Sequence, residues 1–180
     1  METTKITIWK LDPSHSELTF KVKHLMISNV KGEFQTFDGQ IVSQGNDFDR
    51  AKITATVDAN SVYTNNKDRD NHLKSGDFFD VESFNNLKFE GTGFEKLDDD
   101  NYKITGLLTI KGNTKEVSLD VDHGGLMKDP YGQEKAGFSV SGKINRKEWG
   151  LTWNAALETG GVMVSEDVRI NGEFQFVKQA

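Results

Sequence analysis

Alternation of apolar and polar residues constrains this chain more than any other feature. From residue 18 the series Leu18, Phe20, Val22 and His24 falls on one face, and the intervening residues are polar. Period two marks β-strands with one buried and one solvated face. Similar runs occupy residues 6–11, 53–59, 87–92, 102–110, 117–121, 138–144 and 168–176. We therefore expect about eight or nine strands and an all-β fold.

The connections between these runs favour antiparallel pairing. Residues 96–101 and 112–114 predict hairpin turns, and residues 123–133 predict a longer loop. Phe37 is out of phase with Phe34, which indicates a bulge or bend near residues 36–39. A closed barrel would remove exposed strand edges. Residues 1–180 are therefore expected to form one domain, an eight-stranded antiparallel barrel, with a two-sheet sandwich as the alternative.

The inward positions combine aromatic side chains with very small residues. An eight-stranded barrel can be filled by its own side chains or can hold one small ligand. Small inward residues beside many phenylalanines favour an apolar cavity, although glycines at barrel bends would produce the same pattern. The small residues on the apolar face are Ala55, Ala59, Gly91, Gly106, Gly142 and Gly172.

Two segments interrupt the alternation. In residues 61–83, Asn65 or Asn66 can cap a short helix in the 65–75 region that Gly76 can end. In residues 146–167, Trp149, Trp153 and Met163 surround the pair Gly160-Gly161. These side chains could form a pliable gate, or they could pack in the core.

Polar residues near these interruptions are candidates for binding a ligand headgroup. His24 lies on an apolar strand face, so its imidazole would meet either a headgroup or a backbone carbonyl. Arg69 and His72 share one side of the expected helix, and arginine suits phosphate or carboxylate recognition. The alternative is that Arg69 is held by Asp68, Asp70 or a strand carboxylate. Phe78 and Phe79 could line the lip of a cavity or simply seal the barrel end.

Composition argues against several functional classes. The net charge of −6 and the pI near 5.2 disfavour nucleic-acid binding. Cysteine is absent, the four histidines lack metal-ligand spacing, and no nucleophile motif occurs, so we expect no metal, cofactor, catalytic residue or enzymatic activity. The first residues lack a signal-like apolar run, and no transmembrane segment is expected. This predicts a soluble cytoplasmic protein, or a periplasmic one if its start was trimmed.

Several ordered motifs resemble those of the YceI-like polyisoprenoid-binding proteins. The matching segments are DPSHSELTFKVKHL and SNVKGEF at 12–34, NNKDRDNHLKSGDFFD at 65–80, GLLTIKGNTKEV at 106–117, INRKEWGL at 144–151 and VSEDVRINGEF at 164–174. The resemblance spans nearly the whole chain. It implies an elongated lipocalin-like barrel of eight strands whose interior takes a long-chain isoprenoid or similar lipid, with no reaction common to the family. Relatives often form dimers, so a homodimer is possible.

Pattern and resemblance together predict a barrel that binds a polyisoprenoid, a quinone-like molecule or a fatty-acid-type lipid for carriage, storage or sequestration. The polar end is expected at His24, Arg69 and His72. One alternative is an enzyme acting on an isoprenoid or quinone through His24 with Arg69 or Asp70. Another is a stress-linked interaction module with an incidental cavity. The expected apolar lining comprises Leu18, Phe20, Val22, Phe34, Val57, Phe78, Phe79, Phe89, Leu108, Phe138, Val140, Trp153, Ile170 and Phe174.

Overall fold

The computed structural model describes residues 5–25, 27–154 and 163–179, and strands dominate this part of the chain. Its one α-helix there is α1 (Lys67–Lys74). The strands are β1 (Ile6–Leu11), β2 (Glu17–His24), β3 (Ser28–Phe34), β4 (Phe37–Gln44), β5 (Asp47–Asp58), β6 (Val62–Tyr63), β7 (Asn86–Lys96), β8 (Asn101–Ile110), β9 (Asn113–Lys128), β10 (Glu134–Asn145) and β11 (Val164–Lys178).

These strands form a closed antiparallel barrel. The order is β1-β4-β5-β7-β8-β9-β10-β11, and β1 pairs back onto β11, with Leu11 opposite Phe176. Strand β11 pairs with β1 near its carboxyl end and with β2 along the rest of its length, where Phe20 faces Ile170. Strands β1 and β2 therefore share one position in the barrel. Strands β3 and β4 share a second position, because β3 pairs with β2 and β4 pairs with β1. The described strands thus fill eight positions, which confirms the predicted eight-stranded barrel and rules out the sandwich.

Two bends let single stretches of chain fill these positions. Strands β1 and β2 are separated by a 3₁₀ turn at Pro13–His15, and β3 and β4 by a break at Gln35 and Thr36. The bend that the phases of Phe34 and Phe37 predict is therefore present, one residue earlier than expected. At each bend the chain changes direction, but the strands on either side of it occupy the same position in the sheet.

Several strands extend beyond the alternation pattern, among them β5 and β9. Strand β5 begins at Asp47, where Arg50 has a positive φ of 64° that shifts the phase, so that both Phe48 and Ala51 are buried. Strand β9 continues to Lys128, which makes half of the expected loop at 123–133 a strand. Its register with β10 shifts beside Gly137, and this irregularity hides the strand from a search for alternation.

Helix α1 forms where the sequence predicts it. The Asn66 side chain accepts a hydrogen bond from the Arg69 backbone nitrogen at 3.0 Å, which caps the first turn. The helix ends at Ser75, whose backbone nitrogen donates to the His72 carbonyl at 3.1 Å. Gly76 is not left-handed, so the expected glycine stop is replaced by Ser75.

Packed aromatic rings close the end of the barrel that carries the turn between β4 and β5. Phe48 is 1% exposed and lies 5.1 Å from Trp9 and 5.2 Å from Phe138, measured between ring centroids. The Trp9 indole nitrogen donates to the Ser43 hydroxyl at 2.8 Å, so its polar atom is satisfied. This cluster fills the lumen at one end and leaves the opposite end for a ligand.

Replacing Phe48 by Ala is expected to lower the free energy of unfolding by about 3–5 kcal/mol, because the surrounding rings cannot collapse fully into the space. Urea denaturation of the two proteins measures the difference. Ile6→Ala is the matched control, since Ile6 is 70% exposed and should change stability by less than about 0.5 kcal/mol. Equal losses in both variants would contradict a packed closure at Phe48.

The corner between β1 and β2 depends on the Asp12 carboxylate. It accepts hydrogen bonds from the Ser14 hydroxyl at 2.7 Å and from the Ser14 backbone nitrogen at 3.1 Å, and it lies 2.7 Å from Nδ1 of His15. The Ser14 hydroxyl, followed by His15, lowers the pKa of Asp12 to about 2. These contacts fix the 3₁₀ turn that aligns the two strands.

Because the folded pKa of Asp12 lies below its unfolded value, its ionised form stabilises the fold above about pH 4, and that contribution is lost as the pH falls toward 2. Asp12→Asn is expected to be about 1 kcal/mol less stable at pH 6, a value reduced for partial solvent exposure. The gap should close between about pH 4 and pH 2 in urea titrations. A gap that stays constant over this range would contradict the role of the charge.

Candidate functional site

An apolar cavity of about 420 Å³ lies inside the barrel, between the aromatic closure and the end that carries α1. This size lies within the range typical of small-molecule sites. Its wall is almost entirely hydrocarbon, and the basic residues His24, Arg69, His72 and Arg146 line it near the end that carries α1. The barrel is therefore hollow rather than filled by its own side chains.

Glycines opposite aromatic rings keep this lumen open. Gly32 on β3 faces Phe20 on β2, and a Cβ atom at Gly32 would come within 2.3 Å of the Phe20 ring. A Cβ at Gly106 would come within 2.5 Å of the Phe89 ring. In both pairs the absence of a side chain leaves room for the ring beside the glycine, and any larger residue there would have to displace it. The small inward residues thus serve the cavity indirectly.

The structure places every predicted lining residue along this one cavity. The set is drawn from seven of the strands, from the segment after α1 and from the segment after β10. Whether these side chains contact a ligand stays a prediction. The residues are Leu18, Phe20, Val22, Phe34, Val57, Phe78, Phe79, Phe89, Leu108, Phe138, Val140, Trp153, Ile170 and Phe174.

The three residues expected at the polar end also line the cavity. His24 ends β2, where its backbone pairs with Ser28 and with Val164 at the start of β11. Its imidazole makes no hydrogen bond within the described part of the chain. The core alternative, an imidazole tied to a backbone carbonyl, does not occur here among those residues. His24 is thus available to a ligand that reaches this end.

Thr64 anchors Arg69 to the barrel. The Arg69 Nε atom donates to the Thr64 hydroxyl at 2.8 Å, and Nη2 donates to the Thr64 carbonyl at 2.6 Å. Asp70 accepts from the backbone nitrogen and hydroxyl of Thr64 at 2.8 and 2.5 Å. Of the two alternatives for Arg69, the one that held it by a carboxylate names the wrong partner, because Thr64 binds the guanidinium. Asp70 does not line the cavity, so the enzymatic alternative lacks that carboxylate next to His24.

His72 belongs to an aromatic cluster at the same end. Its ring packs edge-on against Trp153 at 4.6 Å and against Phe78 at 5.1 Å, and Nε2 lies 2.9 Å from an Asp77 oxygen. Phe79 packs against Phe34 on the barrel wall at 5.6 Å. The two adjacent phenylalanines therefore support the lip at two different places.

Arg146 frames this mouth, and the sequence reasoning missed it. The residue is 3% exposed, and its guanidinium donates to the carbonyl oxygens of Leu151, Ser165, Trp153 and Val164 at 2.6, 2.8, 2.9 and 3.3 Å. Burial lowers the pKa of the group. A cation bonded to four carbonyls ties the segment after β10 to the start of β11. The motif INRKEWGL contains this arginine, but its role depends on contacts that the sequence does not show.

The residues of the expected gate lie in different environments. Trp149 is fully buried and donates its indole hydrogen to the Leu108 carbonyl at 2.8 Å, so it packs in the core. Trp153 and Met163 do line the cavity. Gly160 and Gly161 lie outside the described residues.

The described residues contain neither a candidate metal cluster nor a helix that could cross a membrane. No group of three or more histidine, aspartate or glutamate side chains there could hold a metal ion. No described helix is both long enough and apolar enough to cross a membrane. The site that the described residues form is an apolar slot with imidazole and guanidinium groups at one end.

Comparison with known proteins identifies relatives of this chain. The YceI-like domain matches residues 9–176. A UPF0312 protein of Staphylococcus aureus is 45% identical over 172 residues, which covers 95% of this chain and 98% of that protein. A UPF0312 protein of Staphylococcus epidermidis is 44% identical over 172 residues, with the same coverage.

Solved structures share the barrel. A Campylobacter jejuni YCEI protein is 36% identical, with a TM-score of 0.74 over 88% of this chain and 90% of that one. BcnA of Burkholderia cenocepacia, at 19% identity, has a TM-score of 0.78 over 92% and 98% of the two chains. A polyisoprenoid binding domain from Saccharophagus degradans, at 16% identity, has a TM-score of 0.71 over 97% and 100%. The closed barrel and the match across residues 9–176 establish that this chain belongs to the YceI-like family.

Proposed function

We propose that this protein binds a long-chain apolar molecule of the polyisoprenoid class inside its barrel and carries, stores or sequesters it. The observation that carries this proposal is the shape and chemistry of the cavity. It is a slot of about 420 Å³ with a hydrocarbon wall, sealed by rings at one end and edged by basic side chains at the other. Such a site fits a molecule with a long apolar chain and one polar end.

The family supports the chemical class of the ligand. A structural relative from Saccharophagus degradans is described as a polyisoprenoid binding domain, and the present chain has the same fold. Burying a prenyl chain would gain roughly 25 cal/mol for each Å² of apolar surface removed from water. A wall with few polar groups can therefore hold such a ligand tightly, and the polar end contributes selectivity.

The polar end of the ligand is proposed to meet His24, Arg69 and His72. Arg69 uses Nε and Nη2 to hold Thr64, and its remaining guanidinium hydrogens have no partner among the described residues. His72 presents its ring beside Trp153. Arg69 and His24 can donate to an oxygen-containing headgroup without breaking a described contact, and His72 can do so through Nδ1, since its Nε2 lies 2.9 Å from Asp77.

The test is mass spectrometry of an organic extract of the purified protein, compared with Val140→Trp and Ser141→Trp. Val140 faces the cavity, whereas Ser141 is its outward neighbour on the same strand and is exposed. The indole at position 140 would occupy ligand space, so bound lipid and uptake of an offered prenyl lipid are expected to fall at least about tenfold, a loss of about 1.4 kcal/mol. Ser141→Trp should stay near the wild-type value.

An extract without long-chain lipid, from a protein that also takes up no offered prenyl lipid, would overturn the proposed function. Equal uptake by all three proteins would show that binding occurs outside the barrel. Urea denaturation of each variant checks that the barrel is intact before uptake is compared.

Replacing His24 by Leu is expected to separate headgroup recognition from chain binding. Affinity for a prenyl alcohol should fall by about 2- to 10-fold, the usual worth of one hydrogen bond, because the imidazole has no hydrogen-bond partner to release among the described residues. Affinity for a hydrocarbon of equal length should not fall. Competition with a fluorescent lipid measures both values, and Asn29→Leu, on the outer face nearby, is the control. Equal losses for both ligands would contradict a headgroup role for His24.

A further inference from the structure

Four basic residues lie side by side on the outer face of four neighbouring strands. Lys143 on β10 faces Arg169 on β11, Arg169 faces Lys21 on β2, and Lys21 faces Lys31 on β3. All four side chains are exposed. With strands about 4.8 Å apart, this basic row spans roughly 14 Å.

Such a row opposes folding unless an anion compensates it. Like charges directly opposite each other on adjacent strands are destabilising. Lys143 has a partial compensation, because its Nζ lies 3.8 Å from an Asp167 oxygen. The other three cations form no ion pair within the described part of the chain. In a chain of net charge −6, a concentration of unpaired cations points to an anionic partner.

The charge changes sign along the same strands. Glu17, the first residue of β2, faces Glu173 within β11, four residues from Lys21 and Arg169 and so about 13 Å away. At physiological ionic strength the Debye length is about 8 Å, so this pair is largely screened from a surface that touches the basic row. Two acids are nearer: Glu33 lies two residues from Lys31 on the same face of β3, and Asp167 pairs with Lys143. The four cations of the row therefore still outnumber the acids beside them. The basic side is the one nearer the cavity mouth.

An exposed apolar residue sits beyond the row. Ile27, in the turn between β2 and β3, is 83% exposed. The pair Lys21 and Lys31 lies three residue pairs below the last pair of this hairpin, His24 and Ser28, or about 10 Å. A surface that contacts the cations can therefore also receive Ile27, and His24 lines the cavity directly beside it.

We propose that this face docks on an anionic lipid bilayer, with the basic row against the headgroups and Ile27 at the hydrocarbon boundary, so that the cavity mouth opens at the membrane surface. Cations beside an apolar anchor are what such an interface attracts. A nucleic acid would use the cations but not Ile27. The inference rests on the proposed function in one respect: the protein would dock in order to exchange a water-insoluble lipid with the membrane.

The test is co-sedimentation with vesicles of 30% phosphatidylserine in phosphatidylcholine, and with vesicles of phosphatidylcholine alone. The protein should bind the anionic vesicles selectively, and 0.5 M NaCl should weaken binding. The variant K21Q/K31Q/R169Q is expected to lose about 100-fold in partitioning, since each basic residue contributes about fivefold. K52Q/K103Q/K115Q makes the same charge change on other exposed strand positions and should stay within about threefold of wild type.

A second pair of variants tests the apolar anchor. Ile27→Ser should reduce partitioning by about tenfold, because its side chain leaves water on docking. Met127→Ser, 75% exposed on the β9–β10 hairpin, should leave partitioning unchanged.

Three results would overturn the proposal: no binding to the anionic vesicles, equal loss in the two triple variants, or binding of a short RNA at least as tight as the vesicles and lost in the first triple variant. Uptake of a prenyl lipid delivered from detergent should be the same in all these variants. If the wild-type protein took up no prenyl lipid from detergent, the proposed function would fail instead. Failure of membrane docking and failure of lipid binding are therefore distinguishable.

Discussion

The pairing of β11 with β1 along one part of its length and with β2 along another is the constraint on which the rest of the structure depends. It closes the sheet, with Leu11 opposite Phe176 and Phe20 opposite Ile170. The Asp12 corner makes this possible by placing two short strands along one long one. Closure removes the open edges of the sheet and encloses a lumen. The cavity and its lining exist only because the sheet is closed.

The two ends of the lumen are built from different interactions. At one end Trp9, Phe48 and Phe138 fill the space with rings. At the other, buried polar groups hold the lip open: Arg146 bonds four carbonyls, and Thr64 joins Arg69 to Asp70. Buried polar groups are costly unless their partners are in place, so this end is built from satisfied hydrogen bonds rather than from packing. A one-ended slot results, with basic groups at its entrance.

Prediction from the sequence succeeded where periodicity was regular and failed where it was broken. The inward series from Leu18 to Val22 follows the pleat, and its residues line the cavity as expected. Phe48 was missed because Arg50 has a positive φ that shifts the phase of β5. Arg146 was missed because nothing local distinguishes an arginine bonded to distant carbonyls from a solvated one. The basic row was equally invisible, since Lys21, Lys31, Lys143 and Arg169 are scattered along the chain and strand register alone aligns them.

The sequence by itself determined the all-β class, the inward face of most strands, the helix that begins after Asn66 and the family. These depend on neighbouring residues, through the period-two pleat and a local cap. The tertiary structure decided which strand closes the barrel, that the lumen is hollow, and which polar residues meet at its mouth. Those outcomes depend on contacts between residues far apart in the chain, such as Arg69 and His72 gathering at the same end as His24, and no local pattern encodes the distances between them.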